Sequence, residues 1–244
     1  QEKSAQDKPA EGKLPVVASF SILADFVREV GGERVALITL VGPDGDAHVY
    51  SPSPADAKAM AAASLVVVNG LKFEGWLTRL LKSSGTKAKL ATATEGITPL
   101  KMQDDGHGHG HGGEDPHAWQ SVSNAKVYVA NILKALSAAD PAGKAIYEAN
   151  AAAYLAKLDA LETEIKAAVA RIPADRRKAI TSHDAFAYFA KAYGIAFVAP
   201  QGVSTEAEAS ARDVGRIILQ VKAQKVPAVF LENSSNPRLA EQIA

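Results

Sequence analysis

Short apolar runs alternate with amphipathic segments along the first part of the chain. The runs have the length and composition of buried strands, whereas the segments between them repeat their apolar residues at helical spacing. This pattern predicts strands over residues 14–20, 34–41, 65–69 and 88–91, with helices between them, one of which covers residues 74–82. Because strands that alternate with helices form a parallel sheet with helices on both faces, we expect an α/β lobe here.

The second half of the chain begins with a long helical pattern. A helix is predicted over 122–138, and another over 140–172 is rich in the strong helix formers alanine, leucine and glutamate. At 1.5 Å per residue the latter would form a rod of roughly 45 Å. The α/β pattern then restarts. It predicts strands over 178–182, 195–199 and 226–231, and helices over 186–193 and 207–223.

The fold class predicted from these patterns is α/β, with two lobes of parallel sheet joined by one long rigid helix. We expect a flexible N-terminus over residues 1–13, an N-terminal lobe over 14–139, the connecting helix over 140–172 and a C-terminal lobe over 173–244. The chain stops within a predicted helix that has no C-cap glycine. The C-terminal lobe is therefore expected to be incomplete.

The composition argues against several classes of function. The 27 basic residues balance the 27 acidic ones, so there is no electrostatic case for binding nucleic acid or an anionic membrane surface. The absence of cysteine excludes disulfides and thiolate zinc sites. The apolar run Leu65–Val68 is too short to span a bilayer.

One stretch, residues 103–119, holds four of the six histidines and reads QDDGHGHGHGGEDPHAW. His107, His109 and His111 alternate with glycine, so we interpret residues 103–115 as a mobile loop that collects metal ions. A linker without function is the alternative for this tract. His117 follows a proline where apolar residues return, and it is predicted to be a positioned ligand.

His48, His117 and His183 each follow a predicted strand or the loop after one. Ligands of open α/β sheets bind at the carboxyl ends of strands, so the three imidazoles can converge on one ion. A site rich in nitrogen suits Zn²⁺ better than Mn²⁺, Mg²⁺ or Ca²⁺. Ligand nitrogens must be unprotonated, so binding is expected to weaken as the pH falls through about 6.5.

Three histidines and a water also describe a hydrolytic zinc site. Against catalysis, there is no His-Glu-x-x-His helix, and no carboxylate is placed by its spacing as a general base. Asp184, beside His183, is the nearest candidate for supporting a ligand, with helix capping as the alternative role.

Three segments resemble the ligand motifs of the metal-binding receptors that feed ABC importers. They are GDAHVYSPSPAD around His48, EDPHAWQSVSNA around His117 and TSHDAFAYFAKAYGI around His183. The resemblance is to the zinc branch, of ZnuA and AztC type, and it runs in order over 14–244. It implies a periplasmic or extracellular protein without enzymatic activity that captures Zn(II) between two lobes and delivers it to a membrane permease. Manganese members usually have glutamate at the position of His183, and a histidine-rich loop before the second ligand is typical of the zinc branch.

The family pattern also implies a fourth ligand, an aspartate, which is expected beyond residue 244. Glu232 follows the last predicted strand and could replace it, although its local sequence does not match that motif. The alternatives left open are a zinc-dependent hydrolase, a manganese receptor of the same family and a metal buffer without a transporter. Besides the permease, a periplasmic zinc chaperone is a candidate partner, and a monomer is expected.

Overall fold

A computed structural model of the chain describes residues 12–102, 113–206 and 208–234. Its strands and helices follow one another in the alternating order that the apolar pattern predicts. They are β1 (Leu14–Phe20), α1 (Ser21–Gly31), β2 (Val35–Val41), α2 (Pro54–Ala62), β3 (Leu65–Val68), α3 (Leu77–Ser84), β4 (Lys89–Thr92), α4 (Val122–Ala139), α5 (Lys144–Ala170), β5 (Lys178–Ile180), α6 (Ala187–Tyr193), β6 (Ala196–Val198) and α7 (Ala211–Gln224).

The first four strands form one parallel sheet in the order β2-β1-β3-β4. Val17 of β1 is paired with Ile38 of β2 on one side and with Val66 of β3 on the other. Both central strands are buried, which explains why their sequences are continuously apolar. The predicted α/β arrangement with parallel strands is confirmed for this part of the chain.

A second, smaller sheet contains β5 and β6, which are also parallel. The segment predicted as a strand over 226–231 runs beside β5, where Val229 forms a parallel bridge with Ile180. Two backbone hydrogen bonds flank this bridge, from Ile180 N to Ala228 O and from Phe230 N to Ile180 O. The segment therefore joins the sheet through one bridge and not through a full ladder.

Three predicted helix starts are wrong. Helix α5 begins at Lys144, after a 3-10 turn over Pro141–Gly143, and not at residue 140. Polar side chains explain the other two. Helix α3 begins at Leu77 and not at residue 74, because the Glu74 carboxylate turns inward and accepts the backbone N–H of Asn69 at 2.6 Å. Helix α7 begins at Ala211 and not at residue 207, because Ser210 forms a capping box with Asp213.

The predicted long helix is present as α5, 27 residues or about 40 Å in length. It packs against α1 and α4, and its buried residues are Tyr147, Ala151, Leu158 and Val169. Further along, Glu162 accepts a hydrogen bond from the hydroxyl of Tyr193 at the end of α6. The helix is thus part of the core of the first sheet and also contacts the segment after β5.

The core is divided unequally between the two sheets. The larger cluster lies around β1, β3, α1 and α4, and the smaller one centres on Ile180 and Ile217. None of the helices in the described ranges is both long enough and apolar enough to cross a lipid bilayer.

Candidate metal centre

His48 lies in the turn that follows β2. Asp46 Oδ1 accepts the backbone N–H of His48 at 2.9 Å, and the indole of Trp76 donates to the carbonyl oxygen of Ala47 at 2.7 Å. The imidazole packs edge-on against Phe73 and is 8% exposed. Two hydrogen bonds therefore hold the backbone that leads into His48.

His117 lies just after a short antiparallel stem, where the backbones of Lys101 and Glu114 form a β-bridge. Asp115 follows the stem, and its Oδ1 accepts the backbone N–H of His117 at 3.0 Å and also contacts Nδ1 of the ring at 2.8 Å. The ring is 2% exposed. Asn69 reinforces this turn by donating a hydrogen bond to Pro116 O at 2.9 Å.

His183 follows β5, so it comes from the second sheet. Thr181 Oγ1 donates to the carbonyl oxygen of His183 at 3.0 Å, and the backbone of His183 forms a parallel β-bridge with that of Gln201. Its Nδ1 lies 2.6 Å from Glu232 Oε2. The ring is 9% exposed, so all three imidazoles are largely removed from water.

The three rings meet through their Nε2 atoms. Nε2 of His117 is 3.1 Å from Nε2 of His48 and 3.4 Å from Nε2 of His183, and one nitrogen from each ring lies within 4.8 Å of the others. A tetrahedral ion with Zn–N bonds of about 2.0–2.1 Å requires nitrogen pairs about 3.3–3.4 Å apart. Two of the three nitrogen pairs are therefore close to the spacing that one tetrahedral ion requires.

The carboxylates select which nitrogen of the ring faces the centre. A proton on Nδ1 of His117 and His183 can be donated to Asp115 and Glu232, which leaves each Nε2 lone pair available for a metal. Asp184, which we expected to support a ligand or cap α6, does not cap the helix, although its carboxylate interacts electrostatically with His117 and His183. Its backbone N–H donates to Gln201 O, and α6 begins after Phe186 without a side-chain cap.

Burial keeps two of the imidazoles unprotonated. Burial, together with smaller effects of the neighbouring His117 and His183, lowers the pKa of His48 to about 3. Burial also lowers the pKa of His117, against the opposing effect of Asp115. Protonation of these two imidazoles, expected near pH 6.5, is thereby moved to lower pH.

Asp115 is the functional residue that the sequence analysis missed. Its signal was present, because the Asp-x-His spacing occurs at both residues 46–48 and 115–117. Of the remaining predicted residues, His107, His109 and His111 lie outside the described residues. The described residues include the base of that loop, where Met102 N donates to Gly113 O at 2.9 Å.

This fold and this centre together define an α/β metal-binding protein built on two parallel sheets and a long helix. Residues 16–244 match the family described as ZnuA, zinc-uptake complex component A, periplasmic. The chain belongs to this family of metal-binding substrate receptors of ABC importers, which are binding proteins and not enzymes. The membership of the metal-receptor family that the three histidine motifs indicated is thereby confirmed, whereas zinc as the metal and the three histidines as its ligands stay predictions.

Similar proteins are named for different metals. FimA of Streptococcus parasanguinis, a metal ABC transporter substrate-binding lipoprotein, is 35% identical over 241 residues, which cover 96% of this chain and 77% of FimA. PsaA of Streptococcus pneumoniae, named for manganese, is 34% identical over 97% of this chain and 77% of its own length. YfeA of Yersinia pestis, named an iron-binding protein, is 34% identical over 98% of this chain and 76% of its own length.

Solved structures show the same fold. A crystal structure of ZnuA has a TM-score of 0.83 and 31% identity, covering 95% of this chain and 87% of that one. The manganese-bound periplasmic metal binding protein of Candidatus Liberibacter asiaticus has a TM-score of 0.82 and 29% identity, covering 95% and 84%. TroA has a TM-score of 0.86 and 29% identity, covering 95% and 81%.

The Asp115 contact predicts a loss of metal affinity in Asp115→Asn. We expect affinity for zinc to fall about 10- to 100-fold, since the variant can no longer fix the tautomer of His117 as strongly. Competition titration with a chelator measures the change. Glu114→Gln is the matched control, since it neutralises the neighbouring carboxylate, which pairs with Lys101 and not with an imidazole, and its affinity should stay close to that of the wild type. Equal losses in both variants would contradict a special role for Asp115.

The lowered pKa of His48 predicts how the stability of the metal-free protein depends on pH. Below pH 6.5 the unfolded imidazole takes up a proton that folded His48 does not accept until about pH 3. The free energy of unfolding should therefore fall with decreasing pH, by up to about 1.4 kcal/mol per pH unit for this residue. Urea denaturation between pH 7.5 and 5 should show a shallower slope in His48→Gln, and identical slopes would contradict the prediction.

Proposed function

We propose that this protein captures Zn(II) at His48, His117 and His183 and delivers it to the membrane permease of an ABC importer. The observation that carries the proposal is the convergence of three largely buried imidazoles on one point from three separate loops. His48 and His117 follow the first sheet and His183 follows the second, so we assign the ion to the cleft between an N-terminal and a C-terminal lobe, divided as the sequence predicts.

The donor set favours zinc over the metals for which several relatives are named. Imidazole nitrogen is a borderline ligand that suits Zn²⁺, whereas Mn²⁺ prefers carboxylate and water oxygens. The two carboxylates nearest to the rings, Asp115 and Glu232, each contact an Nδ1 atom. Both are therefore engaged in orienting ligands. The aspartate expected beyond residue 244 stays a prediction, as does Glu232 as its substitute.

A zinc hydrolase is the less favoured alternative. A catalytic centre needs a base directed at a metal-bound water, but Asp115 and Glu232 face the outer sides of the imidazoles. The relatives are named as substrate-binding lipoproteins of ABC transporters. On these grounds we place the protein in the periplasm as a monomer that docks on its permease, with a zinc chaperone as a candidate donor.

Metal selectivity tests the proposal. The wild type should bind zinc more tightly than manganese in competition titrations, and His183→Glu should move the ratio toward manganese because an oxygen replaces a nitrogen ligand. Gln120→Glu is the matched control, since Gln120 lines the same cavity and gains the same carboxylate while all three imidazoles remain. Zinc binding should also occur without turnover of ester, peptide or phosphate substrates.

Two results would contradict the assignment. An unchanged ratio of zinc to manganese affinity in His183→Glu would exclude His183 as a ligand. A ratio that changes equally in Gln120→Glu would show that the added negative charge, and not the lost imidazole, sets the selectivity.

The histidine tract is proposed to collect zinc near the main site. The stem formed by residues 101–102 and 113–114 leads directly to Asp115, so the tract begins only a few residues from His117. Zinc held there would have an effective concentration on the order of millimolar at the main site. Ordering its glycines costs backbone entropy, so the affinity of the tract itself should be weaker.

The stem allows the tract to be removed cleanly. Met102 and Gly113 form a hydrogen-bonded antiparallel pair, so an Asn-Gly turn in place of residues 103–112 should close the hairpin. We expect one tight zinc site to remain, with weaker binding lost and capture of scarce zinc slowed, as measured by calorimetry and stopped-flow mixing. A variant with His107, His109 and His111 changed to asparagine keeps the length and should behave in the same way. Loss of the tight site from either variant would contradict the assignment of tight binding to the main site and of weaker binding to the tract.

A further inference from the structure

The two Asp-x-His turns of the centre, residues 46–48 and 115–117, share their local geometry. In each, the aspartate Oδ1 accepts the backbone N–H of the histidine two residues later, at 2.9 and 3.0 Å. Their remaining contacts differ. Asp115 contacts the ring of its own histidine, so its effect stays within one turn.

The other aspartate, Asp46, joins the two halves of the molecule. Its Oδ2 accepts a hydrogen bond from Thr205 Oγ1 at 2.6 Å, across 159 residues of sequence. The same turn has a second connection, because Asn233 Nδ2 donates to Asp44 Oδ1 at 2.8 Å and to Pro43 O at 3.2 Å. The His48 turn, residues 42–48, is therefore bonded to two loops that follow the second sheet.

These bonds lie beside the route to the centre. A cavity of about 370 Å³ reaches all three histidines, and its wall includes Asp46 and Thr205 from opposite sides of the cleft. His48 belongs to the His48 turn, so a movement that separates the turn from Thr205 also displaces a ligand of the proposed ion. The position of one ligand and the closure of the cavity are thus mechanically coupled.

We propose that Thr205 and Asp46 form a latch across the cleft, and that this latch positions His48 and limits the rate at which a bound metal ion leaves. The proposal rests on the proposed function, because it assigns a role to a residue beside the same metal centre. Thr205 is a positioning residue here. It acts through Asp46 and the His48 turn and is not itself a ligand.

The latch should affect release more than capture. A hydrogen bond between a hydroxyl and a carboxylate must break each time the cleft opens, so it adds to the barrier for dissociation. Association begins from the open arrangement, in which the bond is absent. We therefore expect loss of the hydroxyl to accelerate zinc dissociation about tenfold, the factor that corresponds to about 1.4 kcal/mol, with little change in the association rate.

Three substitutions separate the latch from general damage to the loop. Thr205→Val keeps the shape and removes the donor, Thr205→Ser keeps the donor, and Ser204→Ala removes a neighbouring hydroxyl whose partner is the backbone N–H of Glu206. Zinc-loaded protein is mixed with excess fluorescent chelator in a stopped-flow instrument, and association is measured separately. Thermal unfolding of the metal-free variants checks that each one folds.

The expected result is fast release from Thr205→Val only, with Thr205→Ser and Ser204→Ala close to the wild type. Release from Thr205→Val at the wild-type rate would overturn the latch while leaving the proposed function intact. Equal acceleration in Thr205→Val and Thr205→Ser would also overturn it, since the hydroxyl would then be irrelevant. If the wild type binds no zinc, the proposed function is wrong, and the latch that rests on it is wrong as well.

Discussion

The whole centre depends on keeping three imidazoles unprotonated while their Nε2 atoms lie 3.1 and 3.4 Å apart. Adjacent imidazolium charges would repel one another strongly in a site so poorly exposed to water. Burial resolves this conflict by lowering the pKa of His48 and His117. The same burial produces the neutral form of the ring that a metal ion requires as a ligand.

Burial of this kind needs a rigid frame, which a polar network beneath His117 supplies. Asn69, at the end of β3, donates to Pro116 O and accepts from the hydroxyl of Tyr128. The Glu74 carboxylate holds the backbone N–H of Asn69 at 2.6 Å and accepts from Ser19 Oγ at 2.6 Å. Every member of this network has a hydrogen-bond partner, which offsets part of the cost of burying the Glu74 carboxylate, and the network fixes the turn that carries His117.

The sequence predicted those features that depend on periodicity and on chain order. The apolar runs identified the strands of the first sheet, and the strand-end positions of His48, His117 and His183 indicated their convergence. The errors come from polar side chains whose partners the apolar pattern does not specify. Glu74 has helix-forming character, yet its carboxylate folds back onto Asn69. Asp184 is next to His183 in sequence, whereas Glu232, 49 residues away, contacts the His183 ring.

The two Asp-x-His turns show why such details could not be predicted from local sequence. Both form the same bond between aspartate and backbone, so their short-range geometry is equivalent. What differs is the neighbour that each aspartate meets: the ring of His117 in one turn, and Thr205 in the other. Only the packing of the two sheets brings Thr205 to Asp46. One short motif therefore contacts a histidine ring in the first case and a distant loop in the second.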